Sequence, residues 1–219
     1  MSFHRRVIAA VTLGVLAAAC SNGSSSGNGA GSTAAAITTA IGGEAGKPTR
    51  SPVSDAVLAP LERVDFQVFT ARYRIVRRLG PVEADAVVVQ QPPNVSVTVG
   101  DVRILRGPDG DRTCTLSTHT CQTGVQEQAL SNVAIGSAFF NTSAARALRV
   151  STARATAAPT AEKRLIAGQE ATCAIVPISP GQETYCSLFS GAIALWDTAD
   201  KHIELTSFAS TSENSAFTS

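Results

Sequence analysis

The sequence predicts an α+β domain in which a curved antiparallel sheet carries one or two amphipathic helices on one face. Three observations lead there. Between Phe69 and Leu105 apolar and polar residues alternate with period two, broken by tight turns. Between Val125 and Ala157 β-branched residues thin out and Ala-rich segments place apolar residues at helical spacing. From Arg164 to Phe208 short strand-like runs return at hairpin spacing. Strands, then helices, then strands segregate helices to one side of a sheet.

Taken in order, Ser54 and Asp55 suit the cap of a short helix, Ala56 to Arg63, which Pro60 interrupts. Phe69, Ala71, Tyr73 and Ile75 then point one way while Thr70, Arg72 and Arg74 point the other. Val87-Val88-Val89 begins a second strand, and Gln90 to Asn94 turns the chain. Val95, Val97 and Val99 alternate with Ser96 and Thr98, Gly100-Asp101 reverses direction, and Val102 to Leu105 return. Pro108 to Asp111 is a further turn, leading into a strand at Cys114. Asp109 and Asp111 lack the further oxygen ligands and closing Glu of a calcium loop.

Leu130, Val133 and Ala134, followed by Phe139 and Phe140, are spaced as one helix face, and Ser143 to Val150 as a second short helix with Ala144, Ala147 and Leu148 on one side. Runs at Arg164 to Ile166, Ala171 to Val176, Tyr185 to Leu188, Ala192 to Trp196 and His202 to Phe208 complete the sheet.

The N-terminus is a different kind of sequence. His4, Arg5 and Arg6 precede an apolar run, Val7 to Ala19, too short to span a bilayer, and Leu16-Ala17-Ala18-Ala19 lead directly to Cys20. This resembles a lipobox in which Ala17 replaces the usual Leu three residues before the cysteine and Leu16 falls one place early. Residues 1–19 read as a lipoprotein signal peptide and Cys20 as the lipid-attachment residue; the rival is an ordinary secretory signal cut near the same small residues. Two or more acyl chains on Cys20 suffice for stable anchoring. Residues 20–52, rich in Gly, Ser, Ala and Thr, read as a tether whose root-mean-square span is on the order of 30 Å. Residues 53–219 are one domain's worth of chain. The expected location is the extracytoplasmic face of a cell membrane.

In that oxidising setting the four remaining cysteines favour disulfides. Three connectivities exist; Cys114 with Cys121 and Cys173 with Cys186 are preferred, because each pair brackets a turn between strand-like runs. Pro180-Gly181 sets Cys173 opposite Cys186. A zinc site using Cys114, His119 and Cys121 fits no common spacing, so no metal is expected.

A formal net charge of +1 for the 219 residues argues against nucleic acid as a partner. The basic cluster Arg72, Arg74, Arg77 and Arg78 reads as a solvated strand face, with contact to anionic lipid as its alternative. Nothing points to catalysis. His119 lies inside a cysteine-bracketed loop, His202 shares a strand face with Glu204 and Thr206, and neither a nucleophile elbow, a metal-binding helix nor a phosphate-binding Gly loop occurs. No cofactor is implied.

The order of elements, with Phe69-Thr-Ala-Arg-Tyr73, Gln91-Pro-Pro-Asn94, Thr184-Tyr-Cys186 and Ile203-Glu-Leu-Thr-Ser207, resembles uncharacterised actinobacterial lipoproteins. Their architecture is similar to the LolA/LolB lipoprotein carriers and the mycobacterial LprG/LppX lipid carriers. The resemblance covers about Val57 to Phe217 and concerns fold. It implies a LolA-like half-barrel with one to three helices on its concave face and acyl chains held between sheet and helices. Leu130, Val133, Phe139, Phe140 and Leu148 would then line or gate a cavity floored by Phe69, Tyr73, Ile193 and Leu195; the alternative is that these side chains complete a closed core. The expected role is a monomeric, non-enzymatic lipoprotein that binds a lipid or other hydrophobic ligand. The alternative is an envelope interaction or sensor protein with a filled core.

Overall fold

The computed structural model describes residues 51–63 and 66–218. The signal peptide, Cys20 and nearly all of the tether lie outside the described residues. Helix α1, Pro52–Leu61, is followed by six strands: β1 (Phe69–Arg77), β2 (Val82–Gln91), β3 (Asn94–Val99), β4 (Val102–Arg106), β5 (Arg112–Thr115) and β6 (Thr120–Thr123). A 3-10 helix, Glu127–Val133, and helix α2, Thr142–Ala153, cross back over the sheet. Strands β7 (Thr160–Ile166), β8 (Gln169–Pro177), β9 (Gln182–Leu188), β10 (Ile193–Asp197) and β11 (Lys201–Ala209) complete it.

The eleven strands make one curved, open, antiparallel sheet in the order β6-β5-β4-β3-β2-β1-β11-β10-β9-β8-β7. The two meanders are joined where β1 pairs with β11, Ile75 opposite Ile203 and Tyr73 opposite Leu205. Period-two alternation decides the faces: Phe69, Ala71, Tyr73 and Ile75 are buried, whereas Arg72 and Arg74 are exposed and pair with Glu213 and Glu83. This is the α+β, curved-sheet architecture expected from the sequence.

Several boundaries differ from expectation. Helix α1 begins earlier, because the Ser51 hydroxyl rather than Ser54 or Asp55 caps it, accepting from Ser54 N at 3.4 Å. Pro52 occupies the first turn, where its missing N–H costs nothing, and Pro60 falls in the last turn, where it ends the helix rather than breaking it. Strand β2 starts at Val82, not Val87: Val82, Ala84 and Ala86 alternate with Glu83 and Asp85, a pattern masked by the low strand propensity of acidic residues.

The expected helix through Leu130 and Phe140 is instead a 3-10 helix that stops at Ala134, whose φ of 54° is left-handed. Glu127 then accepts hydrogen bonds from the Ser137 backbone N–H at 2.8 Å and from its hydroxyl at 2.5 Å, fixing a loop that carries Phe139 and Phe140. The end of the chain covers part of the other face of the sheet. Thr70, Val89, Ser96 and Leu105 form one buried row on the face opposite the helices. The closing 3-10 helix, Asn214–Phe217, packs against β3, and Arg103 donates to Thr218 O at 3.1 Å on that side.

Candidate functional site

The side chains singled out for a hydrophobic ligand all lie in one continuous buried cluster. Phe69, Phe139, Leu148 and Ile193 are fully buried, and Tyr73, Leu130, Val133, Phe140 and Leu195 nearly so. Aromatic rings interlock across the sheet–loop seam: Tyr73 meets Phe139 edge-on at 5.1 Å, Phe139 meets Phe140 at 6.0 Å, and Phe140 meets Phe69 at 6.2 Å. Ile193 and Leu195, expected side by side, diverge. A register shift between them pairs Ile193 with Ser187 and Leu195 with Cys186, so the two project from opposite faces. The Tyr73 hydroxyl is the odd member of the cluster, buried without a hydrogen-bond partner, and burial pushes its pKa far up.

Cys114 is bonded to Cys121 across the β5–β6 pair, and Cys173 to Cys186 across β8 and β9. His119 sits exposed in the β5–β6 turn at φ 50°. His202 lies between two carboxylates, with Asp197 3.3 Å from Nδ1 and Glu204 3.4 Å from Nε2. Among the described residues no group of three or more His, Cys, Asp or Glu is placed to hold a metal ion.

A solvent-open groove of about 330 Å³ lies elsewhere, between α2 and strands β9 to β11. Its helix wall is set by spacing: Arg146 and Val150, four residues apart, share one face of α2, and Arg154, four residues further on, is the C-cap that ends the same wall. Neither guanidinium has a partner among the described residues, whereas Arg149, on the next face round, pairs with Glu62. The sheet wall is aromatic and acidic. Ser151 of α2 hydrogen-bonds Glu183, and the Tyr185 hydroxyl lies 2.9 Å from both Ser151 Oγ and Glu183 Oε2. Burial holds the Tyr185 phenol well above its ordinary range, the Ser151 hydrogen bond opposing only in part.

At the end of the groove, Lys201 places its ammonium 4.6 Å from the Trp196 ring centre, donates to Ala134 O at 3.1 Å and lies 3.7 Å from Asp200. Burial would raise the Asp200 pKa, but the Thr198 hydroxyl at 2.5 Å and the Lys201 ammonium more than offset it and hold the carboxyl below the ordinary range. Lys201 and Asp200 thus neutralise each other, leaving Arg146 and Arg154 as free cations. The sequence signal for this wall was the i, i+4, i+8 repeat on α2, but its partner strands are 29 or more residues away and nothing local links them.

No family model matches the chain, and no curated protein does. Solved structures are similar at low identity. A complex of MucA and MucB from Pseudomonas aeruginosa matches with TM-score 0.49 and 10% identity, over 76% of this chain and 60% of that one. A crystal structure of MucB matches with TM-score 0.46 and 10% identity, over 76% and 62%. LprF from Mycobacterium bovis matches with TM-score 0.39 and 13% identity, over 73% and 94%. The chain therefore spans less than two thirds of the MucB-type chains it matches. Among the described residues no helix is long and apolar enough to cross a membrane.

Proposed function

We propose that this chain is a lipid-anchored, extracytoplasmic binding lipoprotein without catalytic chemistry, acting as a monomer and recognising an envelope partner through its outer surface. One observation carries the reading. The apolar side chains that a ligand cavity would leave uncovered, from Phe69 to Leu195, are packed into a continuous core, while the solvent-open concavity lies at the edge of that core, against Tyr185 and Trp196, and is rimmed by the charged side chains of Arg146, Arg154, Asp200 and Lys201. Cys20 supplies the anchor, and the tether holds the domain near the membrane. The test has two parts. The Cys20→Ser chain should fractionate away from membranes. Anchor-free protein from a lipid-rich host should show the same mass under native and denaturing conditions.

A second reading, binding of a hydrophobic ligand between sheet and helices, is favoured by the Tyr73 hydroxyl. A buried phenol with no partner costs about 1–3 kcal/mol, which a polar atom of a ligand entering beneath Phe139 would offset. Phe139 and Phe140 sit on a loop rather than a helix, so that loop is the natural lid. One co-purified lipid per chain in the same mass measurement would replace the first reading with this one.

A further inference from the structure

We infer that the groove wall of α2 and the adjoining β1–β2 turn form a docking face for the phosphate headgroups of an anionic membrane. The inference rests on the reading that the chain is membrane-anchored, and adds which side of the domain meets the lipid.

Arg146 and Arg154 begin the argument. Arg146 on α2 and Arg154 at its C-cap line the same groove, stand exposed, and have no counter-ion among the described residues, although the chain as a whole is nearly neutral. Unpaired guanidiniums two helical turns apart present separate forks to separate phosphates, a geometry suited to a surface of headgroups. The neighbouring turn supplies an apolar element. Leu79, 71% exposed, lies in the β1–β2 turn and directly follows Arg77 and Arg78. That turn is bolted to the rim of the groove: Arg78 N donates to Asp200 O at 2.8 Å, and its guanidinium binds Asp197 at 2.6 Å. With Arg78 held by Asp197, it is Arg77, Arg146 and Arg154 that supply charge for the headgroups, and Leu79 a methyl-rich tip for the layer beneath.

The entry of the tether agrees. The Ser54 hydroxyl lies 2.8 Å from that of Thr152, so the start of α1, where the tether ends, sits beside the last turn of α2 and Arg154. The described chain therefore begins on the side of the domain that carries the groove. By contrast, Arg72 and Arg74, the arginines most visible in the sequence, are spoken for by Glu213 and Glu83.

The experiment uses the fragment from Ser51 onward, since the continuous core and both disulfides lie within it. Trp196, the sole tryptophan, lines the groove and reports its occupancy by emission. Phosphatidylglycerol vesicles should sediment the fragment and shift Trp196 emission at low salt, and phosphatidylcholine vesicles should do neither. Each basic residue near an anionic surface contributes roughly a fivefold factor, so Arg146→Gln with Arg154→Gln should weaken vesicle binding about thirtyfold. Leu79→Ser should weaken it further, and Arg72→Gln with Arg74→Gln should leave it unchanged. Circular dichroism checks that each variant is folded. Equal binding to both vesicle types, or full binding by the Arg146/Arg154 variant, overturns the proposal. An equal emission shift with inorganic phosphate at matched phosphate concentration also overturns it, in favour of a soluble-anion site. Because the fragment lacks Cys20, these failures are separate from failure of the anchor, which only fractionation of the Cys20→Ser chain reads.

Discussion

Ser151 of α2 and Glu183 of β9 are hydrogen-bonded to each other across the helix–sheet seam, and Tyr185 reaches both at 2.9 Å. All three side chains are buried or nearly so, in a chain whose remaining helix–sheet contacts are largely apolar. The triad ties α2 to the sheet at one angular setting, which in turn fixes where Arg146 and Arg154 point.

Replacing the charged acceptor with a neutral amide should therefore loosen the helix. Glu183→Gln leaves two hydroxyl donors facing an amide, and should cost about 1.5–3 kcal/mol in urea unfolding, with Ser151→Ala costing about 1 kcal/mol. The two changes should be non-additive in a double-mutant cycle, because they break one network. Strict additivity would show that the hydroxyl and the carboxylate do not act together.

Core and groove positions should respond differently to truncation. Phe139→Ala removes a fully buried ring from the aromatic cluster and should cost about 3–5 kcal/mol. Val150, 47% exposed on the groove wall, should tolerate alanine to within about 0.5 kcal/mol. A small loss at Phe139 in a thermal or urea melt would mean that the interior relaxes around a vacancy, contrary to a close-packed core.

The two disulfides close loops of sequence separation 7 and 13. Chain entropy alone assigns them roughly 2.5 and 3 kcal/mol. Cys173 and Cys186 are also fully buried, whereas Cys121 is exposed, so Cys173→Ala with Cys186→Ala should destabilise more than Cys114→Ala with Cys121→Ala. Denaturant midpoints in the reverse order, or free thiols in the native protein, would contradict the arrangement.

Alkaline pH should unfold the protein cooperatively. Its two tyrosines, Tyr73 and Tyr185, are both buried, and burial raises both pKa values above the ordinary phenol. The folded state thus retains protons that the unfolded state releases, so stability is complete below about pH 10 and falls as pH rises beyond it. Phenolate absorbance should appear together with loss of circular dichroism. Phenolate forming before any loss of structure would place a tyrosine in contact with solvent, and Tyr73→Phe should postpone the transition.

Much of the fold was legible because it is written locally. The valines of β3 alternate with Ser96 and Thr98, Gly100 permits a reversal, and cysteines flank turns; a period of two and a turn residue suffice to place such strands. Where local signals were weak or mixed, boundaries moved. Val82 to Ala86 reads as acidic and alanine-rich until Arg74 on the neighbouring strand supplies the partner for Glu83, and Phe139 reads as helical until Glu127 captures Ser137 and turns the chain.

By itself, then, the sequence determined the α+β class, the alternation of buried and exposed strand positions, and the expectation of a lipid anchor at Cys20, since each depends on neighbours in the chain. Only the tertiary structure decided that the apolar candidates close into one core, that Ile193 and Leu195 part across a register shift, and that Arg146 and Arg154 stand free opposite Trp196. Those outcomes depend on which distant strand lies beneath α2 and on which charges find partners there. Burial and pairing are properties of the assembled surface, and no periodicity along the chain encodes them.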